Sequence, residues 1–307
     1  MKLTNKVKKI LSYHENDNAG TVTNLSRVLM HGYLGGTGKL VILPVDQGFE
    51  HGPARSFAKN PDSYDPDYHF KLAIDAKLSA YAAPLGMLEL SSTKYAGCIP
   101  TILKLNSSNS LAQKDSPDQA ITGSVRDALR LGCSAIGLTI YPGSPNFLNM
   151  IEEARALISE AKSCGLASVI WSYPRGGELT KEGETAIDVC AYAAHMAALI
   201  GAHIIKVKPP TSHLGNKDSK LVYEEQKINI STLSARVNHV MQSSFNGKRI
   251  VVFSGGATKY TGDILSEVKE IALGGANGSI IGRNSFQRPY KESLELLRNI
   301  CEIYKQS

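Results

Sequence analysis

The chain has 307 residues, 42% of them hydrophobic, and 34 basic against 28 acidic residues give it a net charge of +6. That length supports a sizeable core, either as two ordinary domains or as one large α/β barrel. The basic residues form no Lys/Arg block and no apolar run approaches membrane-spanning length, which argues against nucleic-acid and membrane partners and leaves a mild preference for anionic small molecules.

Residues 1–38 begin with "MKLTNKVKKILSYHENDNAG", basic but without an apolar core of signal-peptide length, so a soluble, cytoplasmic protein is expected. This segment reads as an N-terminal helical extension ending in the glycine-rich "HGYLGGTGK", placed to cap the bottom of a barrel or to contact another subunit. From residue 39 short β-rich runs alternate with longer segments of helical period. The strands are predicted at 39–46, 80–85, 101–106, 135–140, 167–172, 203–208, 249–255 and 278–284. Between them, Phe147, Met150, Ile151, Ala154, Leu157, Ile158 and Ala161 form one helical stripe, and Leu294, Leu297, Cys301 and Tyr304 form another. Strict alternation implies parallel strands with right-handed crossovers. Eight units in residues 39–307 fit a closed (β/α)8 TIM barrel as the catalytic domain, since such barrels typically take about 250 residues. A long connection, 209–226, follows the sixth strand on the side where barrel active-site loops lie. The five cysteines are scattered with no C-x-x-C pair, so free thiols are expected.

Side chains alternate faces along a strand, so Ile204, Lys206 and Lys208 share one side of the sixth strand. A buried ammonium is costly unless it is paired or neutralised. One reading lets Lys206 snorkel to the rim and pair with Asp46. The other makes it a nucleophile whose pKa is lowered by desolvation and by a second cation, for which Lys208 is the neighbour on the same face. The neutral amine then attacks a carbonyl, and the iminium serves as an electron sink for carbon–carbon cleavage without a metal. Asp46 at the end of the first strand and Tyr173 after the fifth are suitable proton-transfer partners, although an Asp at that position also commonly caps a helix. Trp171 shares the face of Tyr173, and Lys104 shares a face with Asn106.

The seventh and eighth strands run into "FSGGATK" and "IGRNSF", which place glycines where barrels commonly hold a phosphate. Arg283 supplies a fixed charge for such an anion, its bland alternative being a salt bridge on the rim. A small molecule carrying both a carbonyl and a phosphate, a sugar phosphate, is the substrate these two halves require.

In this order, "DQGFEHGP", "LTIYPGS", "WSYPRGG", the lysine of "IIKVK", "SGG" and "GRN" resemble the archaeal-type class I fructose-bisphosphate aldolases over about residues 38–300. The resemblance implies a Schiff-base enzyme that reversibly cleaves fructose 1,6-bisphosphate to dihydroxyacetone phosphate and glyceraldehyde 3-phosphate, in glycolysis and gluconeogenesis, with no cofactor and no metal. It implies Lys206 as the Schiff-base lysine and Tyr173 as the proton donor. Asp46, Gln47, Trp171 and Ser172 are then substrate contacts, and Ser254, Gly255, Gly256, Gly282 and Arg283 the phosphate site. His51 and Arg175 lie in matching motifs and are candidates for the distal phosphate. The connection 209–226 is longer than in compact archaeal members. Symmetric assembly into a homo-oligomer is the common expectation for such enzymes. A Schiff-base lyase or transferase for another phosphorylated ketose and a non-catalytic phosphosugar-binding protein remain as alternatives. A metal-dependent aldolase is disfavoured, because the eight histidines show no clustered ligand spacing at strand ends.

Overall fold

The runs of Val, Ile and Leu form strands because β-branched side chains pack well on a pleated surface buried on both faces. In the computed structural model, which describes residues 2–111, 116–255 and 260–307, eight parallel strands close into a barrel. They are β1 (Leu40–Pro44), β2 (Ala80–Pro84), β3 (Thr101–Lys104), β4 (Ala135–Ile140), β5 (Ala167–Ser172), β6 (Ile204–Val207), β7 (Ile250–Ser254) and β8 (Gly278–Ile280). Each pairs with its sequence neighbours, and Leu40 opposite Gly278 closes the ring. Every predicted strand is present. The last is shorter than expected, because the chain turns at Gly282 and Arg283–Phe286 form a short helix. The predicted stripe from Phe147 lies on the helix Phe147–Ser163 and buries Met150, Ala154, Ile158 and Ala161. Asn106–Ser107 leave the barrel to pair antiparallel with Ala120–Ile121.

Alternation along the strands sorts the core into two layers. Val41, Leu43, Leu103, Ile136, Ile170, Ile205, Val251 and Phe253 face the surrounding helices. Leu40, Ile42, Ile102, Val169, Trp171, Ile204 and Val252 fill the barrel interior.

The interior layer continues into the N-terminal segment. Helices Asn5–Ser12 and Ala19–Met30 bury Val7, Leu11, Leu25, Val28 and Leu29 against the inward residues of the strands. Thr4 and Asn18 cap these helices through Val7 N–H and Thr21 N–H, and the Thr4 hydroxyl also donates to Gly36 O at 2.6 Å. Of the two roles expected for residues 1–38, the structure displays the cap on the barrel bottom. Burying each such Leu or Val side chain stabilises by about 1.5–3 kcal/mol, so the closure is energetically substantial. The opposite mouth, at the strand C-termini, is left to polar groups.

Candidate active site

The floor of the upper mouth is one indole. Trp171 on β5 faces inward and is 1% exposed. Its ring lies across β4 at Gly137, where an added Cβ would stand 2.5 Å from indole Cζ3. Glycine is therefore required there by close approach. Two ammonium groups flank the ring: Lys206 Nζ lies 5.4 Å and Lys104 Nζ 5.8 Å from its centroid. Both lysines are almost fully buried, at 4% and 3% exposure. Burial pushes each down to about 8, with Asp46 and Glu50 acting in the opposite direction; for Lys206 the charges of Lys104 and Arg283 lower it further.

The two lysines differ in their partners. Lys104 Nζ donates to the Asn106 carbonyl and, at 2.8 Å, to Asn106 Oδ1. The Asn106 amide is itself fixed by β4, donating to Thr139 O at 2.8 Å and accepting from Thr139 N–H at 2.7 Å. Among the described residues Lys206 Nζ has no hydrogen-bond or ion-pair partner, and its expected pairing with Asp46 is not formed. Asp46 occupies the N-cap position of helix Gln47–His51, yet its side chain makes no capping bond. The carboxylate is left for the pocket, where it acts on Lys206, Lys104 and Tyr173.

Tyr173 closes one side of the pocket, its ring centroid 5.3 Å from Lys206 Nζ. Burial, with Asp46 and Glu50, raises its phenol well above the ordinary value, and the Ser254 side chain as hydrogen-bond partner offsets part of this. The phenol stays protonated at neutral pH and can donate. Arg175 lies 5.2 Å from the Tyr141 centroid and 5.9 Å from that of Tyr173, and is fixed by Glu50 Oε1 at 2.6 Å. Burial alone would raise the Glu50 carboxyl, but Arg175 overrides it and holds it below its usual range. Glu50 was absent from the sequence-derived site, although it stands inside "DQGFEHGP". His51 Nε2 lies 3.8 Å from the same carboxylate, and burial lowers its pKa.

The phosphate half is built from β7 and β8. Ser254 ends β7, and the Gly255 carbonyl accepts from Asn284 Nδ2 at 2.8 Å, which ties the two loops together. At Gly282 an added Cβ would stand 2.7 Å from Gln47 Nε2 and 2.9 Å from Pro44 O, so the loop packs directly against the end of β1. Arg283 is half-buried and makes no ion pair among the described residues, so the rim salt bridge considered for it is not formed. Its charge reaches Lys206 and His51. Gly256 lies outside the described residues.

Two expectations are corrected. Lys208 follows the last residue of β6 and stands 5.9 Å from the Tyr173 ring centroid, but its ammonium is paired with Glu184 Oε2 at 2.8 Å. The buried cation beside Lys206 is Lys104. Ser172 faces away from the pocket, its hydroxyl donating to Ala193 O at 2.8 Å on the outer helix Ile187–Leu199. It sits between the inward Trp171 and Tyr173, so the period of two excludes it from the mouth. Among the described residues, the His, Asp, Glu or Cys groups close enough to share a metal are His14, Asp17 and His203, at the opposite end of the barrel.

Residues 40–288 match the family model described as DeoC/LacD family aldolase. A probable fructose-bisphosphate aldolase class 1 of Chlamydia muridarum is 37% identical over 299 residues, covering 94% of this chain and 85% of that protein. The fructose-bisphosphate aldolase class 1 of Thermoproteus tenax is 38% identical over 267 residues, covering 87% and 89%. An archaeal fructose-1,6-bisphosphate aldolase, solved with its catalytic lysine covalently bound to the carbinolamine intermediate of the substrate, superposes with a TM-score of 0.75 at 32% identity, covering 98% of this chain and 99% of that one. With the barrel, its buried lysine and a family match spanning most of its length, the chain belongs to the DeoC/LacD family of aldolases.

Proposed function

We propose that the protein is a class I, Schiff-base fructose-bisphosphate aldolase, with Lys206 as the nucleophile. The observation that carries this reading is a buried amine with no hydrogen-bond or ion-pair partner among the described residues, beside a phenol that holds its proton. The neutral Lys206 amine attacks the ketose carbonyl, and the Tyr173 hydroxyl protonates the departing carbinolamine oxygen, which leaves as water. Of the two carboxylates acting on the lysine, Glu50 is occupied by Arg175, whereas Asp46 makes no capping bond and no ion pair among the described residues. Asp46 therefore orients the hydroxyls and takes the C4 hydroxyl proton; the C3–C4 bond breaks, and its electron pair enters the iminium to give an enamine. The proton that Asp46 took returns to the Tyr173 phenolate, Tyr173 then protonates the enamine, and hydrolysis of the resulting iminium releases dihydroxyacetone phosphate and restores the Lys206 amine. Ser254, Gly255, Gly282 and Arg283 bind one phosphate, with His51 and Arg175 directed at the distal one. Gln47 and Trp171 shape the ketose site.

The same reading makes residues 39–307 the catalytic barrel and residues 1–38 its closing extension. It also makes the protein a cytoplasmic homo-oligomer; no described helix is long and apolar enough to cross a membrane. The test is borohydride trapping with dihydroxyacetone phosphate in the presence of chelator, followed by peptide mapping. A reduced adduct on Lys206, lost in Lys206→Ala, is the expected result. Absence of any lysine adduct would sink the mechanism and favour a phosphosugar-binding protein.

A further inference from the structure

The Schiff-base reading requires Lys206 to be unprotonated, yet Asp46 and Glu50 both favour its charged form. Something must hold the proton elsewhere. The two buried amines face one indole from β3 and β6, and only one of them has acceptors. An ammonium is stabilised by the lone pairs it can donate to, and two interacting amines titrate as a pair rather than singly. The Asn106 carbonyl and Oδ1 both receive from Lys104 Nζ, and Asn106 cannot turn away because Thr139 binds its amide from both sides. Lys206 has only the faces of Trp171 and Tyr173.

We infer that Lys104, clamped by Asn106, is the positioning cation of this site: it retains the proton of the lysine pair and so keeps Lys206 as a free amine. Lys104 acts through Lys206 and forms no bond to substrate. This inference rests on Lys206 being the Schiff-base residue. The charged and titratable groups around Lys206 are Asp46 and Glu50 from the segment after β1, Lys104 from β3, Tyr173 and the Glu50-paired Arg175 after β5, the Glu184-paired Lys208 after β6, and Arg283 after β8. Removing Lys104 keeps both carboxylates and takes away one of the two cations whose charge lowers Lys206, Arg283 being the other, so the proton returns to Lys206. The Lys104 charge lowers Lys206, and because burial pushes both amines down to about 8, it is the Asn106 acceptors that set Lys104 apart.

The experiment measures the rate of borohydride-trapped adduct formation on Lys206 with dihydroxyacetone phosphate between pH 6 and 10. It compares the wild type with Lys104→Met and Lys104→Gln. The glutamine variant removes the charge while keeping an N–H donor for Asn106, which guards against a folding defect in the methionine variant; circular dichroism checks both. In the wild type the rate rises through about pH 8 as the amine becomes neutral. In both variants the midpoint moves up by at least about one unit, giving about tenfold slower trapping at pH 7 that recovers by pH 10. A rate lowered by the same factor at every pH, or an unchanged midpoint, overturns the inference. If the wild type forms no adduct at all, the Schiff-base reading itself fails and takes this inference with it.

Discussion

At the N-terminal mouth of the barrel, Asp17 accepts from Lys162 at 2.7 Å and from His203 Nε2 at 3.1 Å. His203 Nδ1 accepts from Ser168 N–H at 2.9 Å, which places the ring proton on Nε2 and directs it at Asp17. Arg249 donates to His14 Nδ1 at 3.3 Å. At the C-terminal mouth, Lys206, Arg283 and Asp46 are without such bonds among the described residues. Both ends carry buried or half-buried charge, but the N-terminal end engages it in internal pairs, whereas the C-terminal end, beside its Glu50–Arg175 and Glu184–Lys208 pairs, keeps three charges available. A charge whose partners are all within the protein fastens the fold, whereas an equally desolvated charge without one is ready for a ligand.

Replacing groups at each end should therefore give opposite results. Lys206→Met is expected to bring turnover below detection in a coupled cleavage assay while raising the melting temperature. The sign follows from linkage: the folded-state pKa lies below the unfolded value, so at neutral pH the folded chain binds that proton less well and stability is lost. A Met carries no such cost. Tyr173→Phe should lower kcat by about 10²–10⁴-fold while Lys206 can still be trapped, and full activity would remove Tyr173 from proton transfer.

Asp17→Asn, at the other end, should cost about 3 kcal/mol in urea unfolding with kcat of the folded enzyme unchanged. An equal loss of activity per folded molecule would show that the two ends are coupled. The smallest expected effect is a pH slope. Burial, with the charges of His203 and Arg249, lowers His14 to about 4, whereas the unfolded residue titrates near 6.5. The unfolded chain then takes up a proton that the folded chain refuses, so stability should fall as pH drops from about 6.5 to 4. His14→Phe should flatten that slope in urea melts. Burial opposes the ionisation of Asp17, but His203 and Lys162 hold its carboxyl well below the usual range, so its contribution persists until more acid pH.

The barrel was legible because strand and helix periods alternate eight times, and Lys206 because charge in a β-branched run violates the expected pattern. The errors have physical causes. Lys208 does stand near Tyr173, but its ammonium is paired with Glu184, a partner 24 residues away that strand alternation does not reveal. Ser172 entered the site through motif resemblance, against the period that already placed it outside. Glu50 depends on a pairing with Arg175, 125 residues away, that no local pattern encodes. The same holds for the Asn106 clamp, since only the fold shows that Lys104 finds acceptors and Lys206 does not.

The N-terminal closure also has a consequence for synthesis. Asn18 and Asn24 donate to the carbonyls of Lys162 and Gly165, and Asp17 bonds His203, 186 residues later. At about 5–20 residues per second, a ribosome needs about 10–40 s to make the residues that receive these helices. During that interval Val7, Leu11, Leu25, Val28 and Leu29 have no barrel to enter. A segment made well before the barrel is therefore among the last to settle, and its apolar stripe is a surface that a chaperone would meet on the nascent chain.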